Sequence, residues 1–489
     1  MNKIKSIVIF LIIFLTVSCQ NNTFEKGLKN KKQEIESYLK TQIQLQEIPS
    51  LALAVIKSGE VIYEGYFGNT DLKQDIPIDK NTIYPIYSIT KLMVSTGVFQ
   101  LIEQNKISLE DNISKYIENT PEKWQAIKIK NLITHSSGLP DISVFNAHLS
   151  DKEEWARVTN ENLHFALGNQ YEYNQTNYWL LAQIIEKVSG ISFEEYILNN
   201  QFLNIKSGVI FSSDFTKHIK NRVNRYVYNN DTNTYINPII YDAKRFHAAN
   251  GLNITLRGLI EWNKRLDNNQ LIKETTKQAL WKPFNFKNKQ DNFLHGWHTY
   301  SLKNSSSFGF TGGSHTGFRK FVKNDLTIIV LTNGHKYYST HNDIINRVAG
   351  IIDENLIDKR EIILQDILST FLTKDINIAI ENYHLVKTKN SETESKLTGG
   401  TWPNYEGILN RVGYVFLGSN EIKKALKIFE LNVKEHSESA NCYDSLAEAY
   451  LANNQFKFSK KNYEKSLNLD PENNNAKAMI KLIENRMKE

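Results

Sequence analysis

The chain has little cysteine, no concentrated charge and no long apolar run, and each of these features excludes a class of structure or function. Only two cysteines occur in 489 residues, Cys19 and Cys442, which excludes a framework of disulfide bonds. The net charge of +6 comes from lysines spread along the chain, which argues against a nucleic-acid-binding surface. The apolar stretch from Ile7 to Leu15 is too short to span a membrane. A hydrophobic content of 40% is nevertheless compatible with ordinary folded cores in two or three domains.

The N-terminal residues have the pattern of an export signal. Lys3 and Lys5 precede the apolar stretch, and the small residues before Cys19 resemble the cleavage box of a bacterial lipoprotein. Residues 1–19 are therefore expected to be a lipoprotein-type signal peptide, with Cys19 lipidated and residues 20–30 forming a tether. The alternative is an ordinary cleaved signal in which the cysteine has no role. Both interpretations predict export to the bacterial cell envelope, and the first adds a membrane anchor.

Ser88 and Lys91 have the spacing of an activated nucleophile and its base. On a helix, residues three apart share a face, so the lysine amine can lie beside the serine hydroxyl. The apolar residues that follow predict a buried face, and burial lowers the pKa of a lysine enough for it to act as a neutral base. A second pair with the same spacing, Ser37 and Lys40, lies in a polar segment, where the lysine is expected to be solvated and inert.

Three later segments supply candidate partners for this serine in a consistent order. Residues 132–140 break a helix with glycine and proline. Residues 173–178 precede an amphipathic helix, and residues 310–313 precede a strand. This order, together with the stretch from Leu132 to Asp141, resembles the serine β-lactamase and penicillin-binding-protein family, nearest its class C and esterase branch. The resemblance extends over residues 31–354.

The resemblance implies a role for each of these residues. Ser88 would be acylated, Lys91 would be the base, and Tyr173 would complete the proton relay. The backbone N–H groups of Ser88 and Gly313 would hold the oxyanion. Other residues implied to line the substrate site are Gln175, Phe310, Thr311 and Gly312.

Two positions depart from the family pattern. Gln175 stands where asparagine is usual, which keeps the amide but moves it out by one methylene. Phe310 stands where lysine or histidine is usual, and its ring cannot pair with the carboxylate of β-lactams or D-Ala-D-Ala peptides. We therefore expect weak or no β-lactamase activity and no cofactor. Esters, D-amino-acid amides and cell-wall peptides stay open as substrates.

The order of predicted strands and helices indicates the fold class. Residues 51–65 read as strand, turn and strand, and residues 318–331 form a second strand pair. Mostly helical patterns lie between them. This predicts an α/β (α+β) fold for residues 31–357, with an antiparallel sheet built from both ends of the domain and helices inserted, as the resemblance also implies.

The C-terminal region carries an internal repeat with an offset of 34 residues. Such a spacing of small and aromatic residues is the tetratricopeptide pattern, in which small residues let paired helices pack closely. It predicts an all-α domain at 406–489, with repeats at 406–439 and 440–473 and a capping helix, after a helical linker at 358–405. These helices either bind a protein partner or brace the hydrolase domain. The recurring positions are Gly413, Phe416, Ala425 and Phe429, then Ala447, Tyr450, Ser459 and Tyr463.

A second hypothesis treats the hydrolase domain as a relic and the chain as an envelope scaffold that works through these helices. The intact Ser88, Lys91 and Tyr173 argue against it.

Histidines offer weaker candidates. His295, His298 and His315 could suggest zinc, but neighbours three apart on a strand face opposite sides, so no metal site is expected. His135 is expected to make a structural hydrogen bond rather than to transfer protons.

Overall fold

The computed structural model describes residues 26–142, 149–203, 208–238, 242–398 and 404–487. The expected signal peptide, with Cys19, lies outside these residues, as do residues 399–403 of the expected linker. The first helix, α1, occupies residues 26–46 and so includes the end of the segment expected to be a tether. In the described ranges, no helix combines the length and the apolar character that crossing a bilayer requires.

The chain divides into two compact units. The first comprises Met1–Val227, Asn237–His335 and Ser339–Ile357, and the second comprises Tyr228–Ile236, Lys336–Tyr338 and Asp358–Glu489.

The strands of the described residues form three sheets. The largest has seven strands in the order β3-β2-β1-β12-β11-β10-β9, a smaller one has the order β4-β8-β5, and β6 pairs with β7. In chain order the strands are β1 (Ser50–Lys57), β2 (Glu60–Asp71), β3 (Ile76–Pro77), β4 (Ile83–Pro85), β5 (Val209–Phe211), β6 (Val227–Asn229), β7 (Thr234–Ile236), β8 (Leu252–Thr255), β9 (His298–Leu302), β10 (Ser305–Gly312), β11 (Thr316–Phe321) and β12 (Leu326–Thr332).

The large sheet joins the two ends of the first unit, as predicted. Strand β1 pairs antiparallel with β12, with Leu51 opposite Thr332. Strand β1 is apolar almost throughout because both of its faces are covered. Ala52 and Ala54 belong to one core, and Leu51 and Leu53 belong to the core on the opposite face.

Helices cover both faces of this sheet and fill the insert between its strands. Helix α2 is buried on every side, which suits its apolar sequence. After α1, the helices of the first unit are α2 (Thr90–Glu103), α3 (Ile129–Ile133), α4 (Asp151–Asn160), α5 (Thr176–Ser189), α6 (Phe193–Gln201), α7 (His247–Asn250), α8 (Leu256–Asp267), α9 (Glu274–Leu280) and α10 (His341–Ile352).

The second unit is built mainly of helices, in agreement with the predicted all-α region. Two pairs of the repeated positions lie next to each other. A Cβ atom added at Gly413 would lie 2.5 Å from the Phe429 ring, and Ser459 Oγ donates to the Ala447 carbonyl at 2.8 Å. The helices are α11 (Lys359–Thr373), α12 (Ile376–Thr398), α13 (Tyr405–Gly418), α14 (Ile422–Glu435), α15 (Ala440–Ala452), α16 (Phe456–Leu469) and α17 (Asn474–Arg486).

Candidate active site

Ser88 lies in a tight turn between β4 and α2. Pro85 ends β4, and a 3₁₀ turn over Tyr87–Ile89 leads into α2, which begins at Thr90. Tyr87 has φ +46°, in the left-handed region that costs a non-glycine residue conformational energy. Ser88 is partly exposed, whereas the residues on both sides of it are buried. The turn thus presents one hydroxyl to solvent just before a buried helix.

The hydroxyl of Ser88 contacts the hydroxyl of Tyr173. The distance between Ser88 Oγ and Tyr173 Oη is 2.6 Å, and either oxygen can be the donor. Tyr173 leaves 37% of its surface exposed, yet desolvation raises the pKa of its hydroxyl to about 12. The phenol therefore stays protonated at neutral pH and can both accept and donate a proton.

Lys91 is fully buried beside this pair. Its Nζ donates to Gln175 Oε1 at 2.9 Å and to the Ala249 carbonyl at 2.7 Å, and it lies 4.7 Å from the centroid of the Tyr173 ring. In the structure the amine lies beside Tyr173, the residue whose hydroxyl contacts Ser88 Oγ, and its hydrogen bonds go to these two acceptors.

Burial controls the protonation of Lys91. Desolvation lowers the pKa of its amine to about 7, and the charge of Asp141 opposes that shift only in part. A neutral amine has two N–H groups and one lone pair. Two acceptors, Gln175 Oε1 and the Ala249 carbonyl, match the two N–H groups and leave the lone pair available as a base.

Asp141 holds Gln175 in place. One carboxylate oxygen of Asp141 accepts from the backbone N–H groups of Gln175 at 2.6 Å and Thr176 at 3.3 Å, at the start of α5. Burial raises the pKa of this carboxyl group above its usual value. No role was assigned to Asp141 from the sequence, although its place at the end of the 132–141 stretch could have marked it as a residue of the site.

His135 is buried behind Tyr173 and makes the structural hydrogen bond that was predicted. Its Nδ1 accepts from the backbone N–H of Asn174 at 3.1 Å. Burial, assisted by the nearby charge of Lys91, holds the pKa of its imidazole well below the usual range. His135 is therefore neutral at physiological pH, and its ring lies 4.8 Å from the Tyr173 ring.

The end of β10 packs directly against the Ser88 turn. A side chain at Gly312 would collide with the Ile86 carbonyl, and a Cβ atom at Gly313 would lie 2.7 Å from the Tyr87 ring. Within the described part of the chain, the Gly313 N–H donates no backbone hydrogen bond. An N–H group that is free and lies next to the nucleophile turn has the properties of an oxyanion donor.

The other predicted substrate residues, Phe310 and Thr311, lie on the same strand. The Phe310 side chain is buried, and its ring centroid lies 6.2 Å from that of Tyr173. Thr311 is partly exposed and lies opposite Gly317 of β11. Both residues therefore belong to the strand edge next to the Ser88 and Tyr173 hydroxyls.

The second serine–lysine pair is not organised for chemistry. Ser37 and Lys40 are exposed on α1, and the Lys40 amine pairs with Glu36 at 2.7 Å. This pair therefore lacks the buried surroundings of Lys91.

The histidines considered for zinc do not form a ligand set. Over the described residues, no group of three or more His, Cys, Asp and Glu side chains is arranged to hold a metal ion. His315 instead lies 5.9 Å from the Tyr87 ring, and burial lowers the pKa of its imidazole to about 3.

The antiparallel sheet with a serine turn at the edge of β10 points to a serine hydrolase, and comparison with known proteins agrees. A family model described as beta-lactamase matches residues 35–349. The chain therefore belongs to the β-lactamase family, whose members include penicillin-binding-protein-like serine hydrolases.

Individual relatives are distant. Penicillin-binding protein 4* of Bacillus subtilis is 23% identical over 332 residues, which cover 62% of this chain and 72% of that protein. The octameric penicillin-binding protein homologue from Pyrococcus abyssi has a TM-score of 0.57 at 22% identity, over 68% of this chain and 81% of that one. D-amino acid amidase from Ochrobactrum anthropi has a TM-score of 0.56 at 18% identity, over 67% and 99% of the two chains. At these identities the solved structures support the fold alone.

Proposed function

We propose that the chain is an exported serine hydrolase that cleaves an ester, amide or D-peptide through an acyl-enzyme on Ser88. The observation that carries the proposal is the 2.6 Å contact between the Ser88 and Tyr173 hydroxyls beside the buried amine of Lys91. The similarity to a D-amino acid amidase and to penicillin-binding proteins supports this substrate range.

Each residue of the site has a separate role in the acylation step. Ser88 Oγ attacks the carbonyl carbon while its proton passes to the Tyr173 oxygen, and the Lys91 lone pair accepts the proton that Tyr173 gives up. The N–H groups of Ser88 and Gly313 stabilise the oxyanion. As the tetrahedral intermediate collapses, the leaving group takes a proton back through Tyr173. Water then cleaves the acyl-enzyme by the reverse path.

Export, a lipid anchor on Cys19 and a protein partner for helices α13–α17 belong to the same proposal. The charged and apolar N-terminal residues support export, and the cysteine after small residues supports the anchor. The paired helices with the 34-residue repeat support a tetratricopeptide-like binding surface.

A covalent probe tests the proposed nucleophile. The wild-type protein would be treated with a fluorophosphonate, and the adduct would be mapped to a peptide by mass spectrometry. We expect one adduct, on the peptide that contains Ser88, followed by turnover in a panel of esters, D-amino-acid amides and D-peptides. Folded protein that stays unlabelled would refute the proposal, and an adduct on Ser37 would refute the choice of serine.

The pH dependence should report the amine of Lys91. Below its pKa of about 7 the group is an ammonium ion without a lone pair, so kcat/KM should fall about tenfold for each further pH unit. We expect kcat/KM for a neutral ester to rise with pH to a plateau, with the midpoint of the rise at about pH 7. Tyr173 adds no transition in this range because its pKa is about 12. A flat profile, with circular dichroism showing intact fold throughout, would contradict this assignment.

Phe310 is expected to limit the hydrolysis of β-lactams. Phe310→Lys and Phe310→His supply a cation for the β-lactam carboxylate, and we expect about tenfold higher kcat/KM for a cephalosporin such as nitrocefin. Turnover of an uncharged ester serves as the control and should change much less. Variants that keep ester turnover but gain no β-lactam turnover would show that Phe310 does not set this preference.

A further inference from the structure

A guanidinium group lies next to the nucleophile turn with no protein partner. The Arg225 Cζ atom is 5.9 Å from the centroid of the Tyr87 ring, and Tyr87 directly precedes Ser88. Across the described ranges, Arg225 makes no hydrogen bond or ion pair, and its Nε is buried without an acceptor. The side chain as a whole is only partly buried. An arginine placed in this way retains its full capacity to bind an anion.

The neighbouring arginine differs in this respect. Arg222 donates to the backbone carbonyls of Asp214 and Lys217, so its guanidinium is already engaged. It also lies 4.9 Å from the centroid of Phe215, whose ring stacks on Tyr87 at 6.2 Å. Arg222 therefore braces the aromatic wall of the turn, whereas Arg225 adds to it a guanidinium whose Nε has no acceptor.

Asp242 is near enough to Arg225 for their charges to attract each other, but no hydrogen bond or ion pair joins the two side chains. His315 is uncharged at neutral pH, since burial lowers its pKa to about 3. A partly buried guanidinium whose N–H donors have no acceptor costs free energy, which a bound anion would recover.

The position of Arg225 indicates which half of the substrate it faces. Tyr173 returns the proton to the leaving group, so the leaving group lies on the side of Tyr173 and Phe310. Arg225 instead lies against the Tyr87 ring, the ring that a Cβ atom at Gly313 would approach to 2.7 Å. A substrate group that reached Arg225 would therefore belong to the acyl half.

We propose that Arg225 binds a carboxylate on the acyl half of the substrate, so that the preferred substrates are acyl compounds with an anionic acyl chain and an uncharged leaving group. This inference rests on the proposed function. A guanidinium offers two parallel N–H donors, the geometry that a carboxylate accepts best. The chain thus has a cationic side chain, that of Arg225, beside Tyr87, whereas the side chain at position 310 is an apolar ring.

Two p-nitrophenyl esters that differ only in charge test the inference. One carries the acyl chain of adipic acid with its free carboxylate, and the other carries the same chain as the terminal carboxamide. We expect the wild type to prefer the carboxylate ester by about 10- to 100-fold in kcat/KM. Arg225→Gln should abolish this preference by lowering kcat/KM for the carboxylate ester to the level of the carboxamide ester, and Arg225→Lys should retain part of it. Arg257→Gln, at an exposed arginine paired with Glu64, is the matched control and should keep the preference.

The outcomes separate the inference from the proposed function. Equal kcat/KM for the two esters in the wild type, or a preference that survives Arg225→Gln, would overturn the inference alone. Failure to hydrolyse either ester while a fluorophosphonate still labels Ser88 would also overturn only the inference. If Ser88 is not labelled either, the proposed function is overturned and the inference with it.

Discussion

Ser88→Ala is expected to lower kcat/KM for esters by roughly 10⁵-fold and to abolish the fluorophosphonate adduct, because removing a nucleophile leaves only substrate binding and oxyanion stabilisation. In the variant, Tyr173 and Lys91 are still present, but there is no serine hydroxyl from which they could take a proton. Initial rates and intact mass for the variant and the wild type measure both effects. Ser37→Ala is the matched control, since that serine has the same spacing to a lysine but lies exposed on α1.

The fold should survive the Ser88→Ala change. Ser88 is only partly buried and its side chain makes one hydrogen bond, to Tyr173, so the loss in unfolding free energy should be about 1 kcal/mol or less. Thermal melting then shows whether the variant is folded. Residual adduct formation in a folded Ser88→Ala variant would place the nucleophile elsewhere.

Lys91→Met is expected to reduce kcat/KM by about 10³- to 10⁴-fold, the upper range for loss of a general base. Methionine has a similar length and fills the same buried space, but it has no lone pair to accept the proton from Tyr173. Steady-state kinetics with the best substrate of the panel measures the effect. Lys40→Met should leave the rate unchanged, because Lys40 is exposed and pairs with Glu36.

Thermal stability provides the second measurement for Lys91→Met. The folded-state pKa of about 7 lies below the ordinary lysine value of 10.5, so below about 7 the wild type must bury an ammonium ion. That penalty is complete below the folded pKa and disappears as pH rises toward 10.5. The variant should therefore gain melting temperature relative to the wild type, most at low pH and least at high pH. Loss of both activity and stability at every pH would mean that Lys91 is structural.

Local patterns named several residues that the structure brings together, because each motif is short and lies next to a recognisable element. Ser88 and Tyr173 were named from the sequence, and the structure brings their hydroxyls into contact. Strands β1 and β12 were also predicted, since long apolar runs bounded by turns indicate buried strands.

The connections between distant segments could not be predicted. Lys91 donates to a backbone carbonyl, that of Ala249, and any residue type can supply a carbonyl. Asp141 caps a helix that begins well beyond it in sequence, so no local motif pairs the two. Arg225 is distinctive only because its guanidinium has no hydrogen-bond or ion-pair partner among the described residues. A sequence does not show which side chains are paired. The strands of the β4-β8-β5 sheet have three or four residues each, too few to show a period.

The pairing of β1 with β12 determines when activity can begin during synthesis. Ser88 leaves the ribosome early, but Gly313 and the strand that closes the sheet onto β1 follow only near the end of the first unit. Pairing between such distant segments must wait until both have emerged. A nascent chain therefore carries an incomplete site for most of its translation, and a truncated product that ends before β10 lacks the strand that lies against the Ser88 turn.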